Sequence, residues 1–250
     1  MSDLFYHKDL TDEQWDRIKF LFEKSVERGR PPLNPRTVLN GIIWIMKSGG
    51  RWRDLPAPYG NWNSIYHKFR LWCAQGLFDR LLKVFNDSET ILLEMDSTFC
   101  KVHQSACSNR KNQDIGSSRG GKNTKIHVLL NERMQAVNVL ISGGHINDSD
   151  KALELLAGID LTGKKVLADR AYSCDKIRSY LESHGVTVCI PDKVNFKVKH
   201  SFDAELYKQR NLVERFFQRI KNYRHIAFRF DKLADCFLNF VLLASVVIHF

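Results

Sequence analysis

Four residues of mixed chemistry recur at helical spacing near the end of this 250-residue chain: Tyr207, Arg210, Glu214 and Lys221. At about 100° per residue, with Tyr207 at zero, Arg210 falls at about 300°, Glu214 at about 340° and Lys221 at about 320°. Leu206, Leu212, Val213, Phe216, Phe217 and Ile220 fill a separate sector from about 140° to about 280°. The stretch is therefore expected to be one helix, with its apolar side on a core and a Tyr-Arg-Glu-Lys row along the rim. A carboxylate among cations and an aromatic ring suits a metal-bound carboxylate acting on a polyanion. The same row also fits the solvated face of an amphipathic helix, so its meaning depends on what it faces.

Two upstream aspartates are the candidates. Asp96 ends the apolar run Ile91–Met95, and the short run Lys164–Leu167 ends in Ala168-Asp169. Both runs read as strands. Acidic residues at the C-terminal ends of strands point into the crevice where α/β sheets bind ligands. Three converging carboxylates can hold two Mg²⁺ ions about 3.5–4 Å apart, which activate a water or a 3′-hydroxyl and stabilise the leaving oxygen at a phosphodiester. Mg²⁺ takes few protein ligands, so three suffice. Singly, each has a plainer reading: Asp96 as a turn cap, Asp169 as a solvated strand end, Glu214 as an i,i+4 partner of Arg210.

The elements that would position these groups are legible around them. Thr124–Leu130 and Ala136–Ile141 read as a hairpin turning at Asn131-Glu132-Arg133. Gly143–Asp148 is a turn leading into a helix from Ser149 to Ala157. A helix from Cys174 to His184, a strand from Val186 to Ile190 and a final apolar helix from Lys232 to His249 complete the set. The order is that of an α/β sandwich with a mixed sheet. A basic loop from Ser105 to Lys122, carrying Arg110, Lys111, Arg119 and Lys122, lacks the spacing of a phosphate-binding P-loop.

Everything before residue 90 reads as helical. Thr11-Asp12-Glu13-Gln14 is a capping box for a helix carrying Trp15, Ile18, Leu21, Phe22 and Val26. Gly29-Arg30-Pro31-Pro32 ends it, and Asn34-Pro35 opens the next, which stops at Ser48-Gly49-Gly50. After a loop bearing Arg51 and Arg53, a third helix capped by Asn61 or Asn63 is expected to turn Ile65, Tyr66, Phe69 and Trp72 inward and His67, Lys68 and Arg70 outward. A helix-turn-helix reading of nucleic acid by this third helix is the functional possibility. With 14 Lys/Arg against 11 Asp/Glu through Thr90, a helical unit with solvated charges is the plainer one.

The net charge of +10 favours a polyanionic partner, and the stretch Lys193–Lys232 carries 11 Lys/Arg against 4 Asp/Glu. Six scattered cysteines without a C-x-x-C pair suit free thiols in a reducing compartment, and Cys100-x2-His103-x3-Cys107 lacks a clear fourth zinc ligand. The N-terminus has no signal-peptide pattern, and the apolar Phe237–Phe250 segment is shorter than a membrane span. A cytoplasmic protein without membrane contact is expected.

Three blocks together carry a family resemblance: Met95-Asp96-Ser97-Thr98 followed by His103; Leu167-Ala168-Asp169-Arg170-Ala171-Tyr172; and Tyr207-x2-Arg210-x3-Glu214-x6-Lys221. In this order they resemble the DDE transposases of bacterial insertion sequences, in the insertion sequence five family within the Tyr-Arg-Glu-Lys signature group. Gly120–His127 and the Gly143–Asp148 turn are also similar. The resemblance implies an RNase H-like catalytic domain over residues 90–250, after a small all-helical DNA-binding domain over residues 1–89. It implies Asp96, Asp169 and Glu214 as ligands of two Mg²⁺ or Mn²⁺ ions, with Tyr207, Arg210 and Lys221 holding the transposon-end backbone. Arg51, Arg53, Lys68, Arg70 and Lys122 are further candidate contacts to double-stranded DNA. A homodimer on paired ends and association with the nucleoid when DNA-bound follow from the same resemblance. Alternatives are a transposase-derived DNA-binding protein and a metal-dependent nuclease without strand transfer. Among rival acids, Asp148 and Asp150 read as N-cap residues and Asp175 as a first-turn residue. His103 and His127 read as hydrogen-bonded structural histidines.

Overall fold

The computed structural model describes residues 9–22, 33–86, 89–107, 112–194, 196 and 200–250. Val26, Gly29–Pro32, Arg110, Lys111 and part of the basic connection before Phe202 lie outside the described residues.

Helix α1 (Asp12–Asp16) begins at the capping box: Thr11 Oγ accepts the Gln14 N–H, and the Gln14 side chain accepts the Thr11 N–H. It does not run on as one helix. A 3₁₀ turn, Lys19–Phe22, takes over, and the three-residue spacing of Trp15, Ile18 and Leu21 suits that tighter geometry. Asn34 caps α2 (Pro35–Ser48), accepting the N–H groups of Arg36 and Thr37, and Gly49 ends it at φ 65°, a left-handed conformation that glycine adopts freely. Asn61 caps α3 (Trp62–Ala74), and α4 (Leu77–Val84) follows.

Among the described residues, seven strands form one sheet: β1 (Leu92–Val102), β2 (Gly116–Ser118), β3 (Gly121–Asn131), β4 (Ala136–Gly143), β5 (Lys165–Ala168), β6 (Thr187–Cys189) and β7 (Phe228–Arg229). β1 is central. It pairs antiparallel with β3 from Leu93↔Asn131 to Lys101↔Asn123, and parallel with β5 from Leu92↔Lys165 to Met95↔Ala168. β4 flanks β3 antiparallel, β6 flanks β5 parallel, β2 lies on the far end of β3, and β7 on the far end of β1. Helices α5 (Asp148–Leu156) and α6 (Asp175–Ser183) come between β4 and β6, and α7 (Ala204–Tyr207), α8 (Asn211–Lys221), α9 (Arg224–Ala227) and α10 (Ala234–Val247) come after β6. The main order, β4–β3–β1–β5–β6 with flanking helices, is the RNase H-like arrangement.

The period-2 alternation of β1 assigns its neighbours. Leu93 and Met95 join α5 and α6 in one buried cluster. The opposite face of the sheet shares a second cluster with α8, α9 and α10. There Ile126 and Val128 of β3 meet Phe237 and Phe240 of α10, together with Val38, Leu39 and Ile42 of α2. Most residues of α10 are buried, as expected of an apolar helix without a polar face. Residues before and after position 90 thus contribute to one core.

Two expectations about elements need correcting. Asp96 does not end its strand: β1 continues to Val102 because β3 keeps pairing with it as far as Lys101. What ends near Asp96 is the parallel pairing with β5. Tyr207–Lys221 is not a single α-helix either. A 3₁₀ turn, Lys208–Arg210, separates α7 from α8. That turn nearly eclipses residues three apart, and the Arg210 guanidinium carbon sits 5.9 Å from the Tyr207 ring centroid.

Candidate active site

The β1–β5 register places the two aspartates side by side. Met95 pairs with Ala168, so Asp96 and Asp169 are the next residues on adjacent parallel strands, both directed to the face covered by α8. Each carboxylate is anchored by a backbone N–H. Asp96 Oδ1 accepts the Ser97 N–H at 2.7 Å, and Asp169 Oδ1 accepts the Ala171 N–H at 2.7 Å, capping the 3₁₀ turn Arg170–Tyr172.

Glu214 does not join them directly. Its side chain is 63% exposed and receives Arg210 Nη2 at 3.4 Å, while Arg210 Nη1 lies 3.7 Å from Asp96 Oδ2. The guanidinium thus stands between the first and third carboxylates. Among the described residues, no three of His, Cys, Asp and Glu are grouped as a metal-holding cluster. At the other end of α8, Lys221 Nζ donates to Thr98 Oγ1 at 2.6 Å. Thr98 is two residues beyond Asp96 on the same strand face. Arg210 and Lys221 therefore lie along β1, at Asp96 and Thr98, and Tyr207 packs on the cluster that includes Leu92 of the same strand, although the helix carrying them is interrupted.

The electrostatics are those of a site short of positive charge. Burial pushes the Asp96 carboxyl up to about 6; the Ser97 N–H and Arg210 oppose this, and Asp169 and Asp148 reinforce it. Glu94, 1% exposed and two residues before Asp96, is raised further, to about 8, again mainly by burial. Arg210 and the Val213 N–H oppose this, but neither of its oxygens makes a full hydrogen bond. Burial also lowers Lys221, with Cys100 opposing, and raises Tyr207.

Behind Asp96, on the other strand face, a polar network holds Ser97. Its hydroxyl donates to Asp148 Oδ1 at 2.7 Å, and the same oxygen receives Lys125 Nζ at 2.9 Å. Lys125 Nζ also donates to the Ile146 carbonyl, and His127 Nδ1 is 3.9 Å from Asp148. Burial lowers His127 to about 4, against the pull of Asp148, so it is uncharged at neutral pH. Its Nε2 lies 2.8 Å from Ser142 Oγ. The Tyr172 ring, 1% exposed, closes the network, its acidity suppressed by burial and by Asp148, Asp96 and Asp169.

Asp148 is therefore not the N-cap expected of it. Asn147 occupies that position, and Asp148 turns inward from the first helical position because the buried Lys125 needs a counter-charge. Asp150, also expected as an N-cap, is an exposed residue of the first turn, while Asp175 is exposed in a first turn as expected. His103 is hydrogen-bonded to Ser105. Glu94 and Asp148 are two charged residues whose placement was not expected from the sequence. A glutamate within the apolar run Ile91–Met95 was a visible signal, because ionisable side chains on a buried strand need a reason to be there.

The other candidate DNA contacts are dispersed. Arg51 is paired with Asp54 at 2.9 and 3.0 Å. Arg53 lies over the Trp62 ring, 5.4 Å from its centroid. Both line a cavity of about 660 Å³ with Trp52, Tyr66 and His103, which does not include the carboxylates. Lys68 is half-buried with its ammonium 5.8 Å from the Trp72 centroid, and Lys122 is exposed at the start of β3. Arg70, expected to face outward, is half-buried with Nε shut away from solvent. It leans on Tyr66, whose side chain supports its charge, because the α3 face it occupies is covered by α10.

Residues 87–248 match the family described as "Transposase DDE domain". The chain belongs to the DDE transposases. Residues 10–82 match a second family, described as "Putative transposase of IS4/5 family". This transposase is 34% identical over 123 residues to uncharacterized protein y4sN of Sinorhizobium fredii, across 48% of its own length and 94% of that protein. It is 33% identical over 126 residues to a putative transposase for insertion sequence element IS6501 of Brucella ovis, across 50% of its length and 96% of that protein. Among solved structures, it resembles the piggyBac transposase in a synaptic complex with hairpin DNA, with TM-score 0.55 at 9% identity, covering 96% of this chain and 73% of the other. That likeness is one of fold. The DDE domain implies dependence on a divalent metal, and the donor set fits one: hard carboxylate oxygens, those of Asp96 and Asp169 half-buried, with Asp96 and the exposed Glu214 already drawn to one cation in Arg210.

Proposed function

We propose that this transposase binds the terminal inverted repeats of an insertion sequence as double-stranded DNA. It then cuts and rejoins strands by phosphoryl transfer with two Mg²⁺ or Mn²⁺ ions held by Asp96, Asp169 and Glu214. The observation that supports this best is the β1–β5 register that sets Asp96 beside Asp169, with the Arg210 cation drawn between Asp96 and Glu214. Bound divalent ions would supply Lewis-acid activation of the attacking oxygen and neutralise charge on the leaving one. The chain's own residues do the rest. Asp96 and Asp169 are held in place by backbone N–H groups, so little reorganisation is needed when substrate arrives. Tyr207, Arg210 and Lys221 orient the backbone flanking the scissile phosphate.

Residues 1–89 serve as a helical DNA-end reader and residues 90–250 as the catalytic domain, joined through their shared core. Arg51, Arg53 and Lys122 are accessible for phosphate contact, whereas Lys68 and Arg70 need rearrangement to reach DNA. Two protomers act together on paired ends. Among the described residues no helix is long and apolar enough to cross a membrane. A cytoplasmic enzyme, nucleoid-associated when DNA-bound, is the matching location.

The test is an assay with Mg²⁺, a duplex carrying the terminal repeats and a target plasmid. Both nicked ends and covalently joined products are expected. Cleavage without joining would leave a nuclease, and binding without cleavage a DNA-binding protein. Lys221→Ala is expected to weaken end binding at every sequence and to lower the slope of log affinity against log salt by about 1, since one phosphate contact is lost. An unchanged slope and affinity would refute the phosphate role of Lys221.

A further inference from the structure

Glu94 is unexplained by packing. It is 1% exposed, neither carboxylate oxygen makes a full hydrogen bond although the Val213 N–H at the start of α8 approaches it and favours its charged form, and it shares the α8-facing side of β1 with Asp96. The cation it feels most strongly is Arg210. Arg210 Nη1 is in the same condition, buried and without a hydrogen-bond partner, because its 3.7 Å approach to Asp96 is longer than a hydrogen bond. A buried donor beside Asp96, and a buried acceptor two residues before Asp96 on the same strand face, each short of a full hydrogen bond, are costly to leave apart. The arrangement is that of a side chain with two places to be, only one of them taken.

We propose that Glu94 is the second seat of Arg210, a positioning residue that receives the guanidinium when Asp96 and Glu214 engage a divalent ion. This rests on the reading of those two carboxylates as metal ligands. Arg210 and such an ion cannot share Asp96, since both are cations and the site is partly buried. The Arg210 side chain is 21% exposed, at the rim of the site beside Asp96. Moving inward satisfies both orphaned groups and keeps the arginine inside the site. Its outer N–H groups remain available to a phosphate, for which the planar guanidinium is suited. Without Glu94, Arg210 stays on Asp96 and competes with the ion.

The test is a double-mutant cycle read by calorimetric titration of Mn²⁺ into the full-length, DNA-free protein at fixed pH and ionic strength. Glu94→Gln is expected to weaken Mn²⁺ binding about fivefold or more, within the usual range of coupling between sites. Arg210→Gln should tighten Mn²⁺ binding, and adding Glu94→Gln to it should change nothing further. An unchanged affinity in Glu94→Gln, or an equal loss in both backgrounds, would overturn the proposal. If Glu94→Gln does not fold, Glu94→Asp replaces it in the same cycle; it keeps the charge at shorter reach and is expected to give an intermediate loss that Arg210→Gln again abolishes. Asp96→Asn is titrated alongside. If it binds Mn²⁺ normally, the metal reading itself fails. If it does not bind while the cycle shows no coupling, only the role of Glu94 fails.

Discussion

Asp96→Ala is expected to abolish both end cleavage and strand joining while leaving the protein folded and able to bind transposon-end DNA. Asp169→Ala and Glu214→Ala should do the same. Loss of a metal ligand removes several kcal/mol of transition-state stabilisation, a drop of at least about a thousandfold in rate. Thermal stability is the informative second readout. Burial holds the Asp96 carboxyl up at about 6, so its charged form is disfavoured in the folded protein. Removing it should leave the melting temperature unchanged or raise it, the usual sign of a group kept for function at the expense of stability. Cleavage assays with Mg²⁺ and a thermal melt in chelator decide the matter. Wild-type activity in any one of the three variants would remove that residue from the triad.

Asp148→Ala is expected to do the opposite, costing stability first and activity as a consequence. Lys125 is 8% exposed at its side chain, and Asp148 is its ion-pair partner at 2.9 Å. Taking away one member of a buried pair leaves the other charge uncompensated, which costs about 3–5 kcal/mol. For a chain of this size that lowers the melting temperature by roughly 10 °C. Ser97 loses its acceptor in the same variant, so the strand segment carrying Asp96 loosens and turnover slows. Asp150→Ala, at an exposed position on the same helix, serves as the control and should shift stability by less than about 0.5 kcal/mol. Calorimetry on the two variants separates a structural pair from a solvated helix start; identical melting for both would sink the role assigned to Asp148.

The contrast between these two aspartates shows where sequence reading stops. Asp96 was conspicuous because it followed an apolar run. Asp148 sits in a turn rich in Gly and Asn, where an acidic residue is the commonest capping choice, and nothing local separates a cap from a buried counter-ion. The difference lies in Lys125, 23 residues earlier, on a strand whose inward face was not assignable without its register. Arg70 went wrong for a related reason: its place on α3 suggested an outer face, and the helix that covers it comes more than 160 residues later in the chain.

Local rules decided much. The capping box at Thr11, the Asn34 and Asn61 caps, the glycine stop at position 49, the β3–β4 hairpin and the buried last helix are each written within a few residues, because capping, turn chemistry and hydrophobic periodicity act over short spans. The order of the two aspartates and the Tyr-Arg-Glu-Lys row is likewise a property of the chain alone, and it sufficed to indicate the DDE transposases. Distances are not such a property. That Asp96 adjoins Asp169 depends on β1 and β5 pairing parallel at one register, and a slip of one residue would turn the side chains to the other face. That Arg210 lies between Asp96 and Glu214 depends on a 3₁₀ turn interrupting a stretch whose periodicity looked continuous. Glu94 became notable only when α8 was seen to cover it, since burial is a relation between distant segments and no single segment contains it.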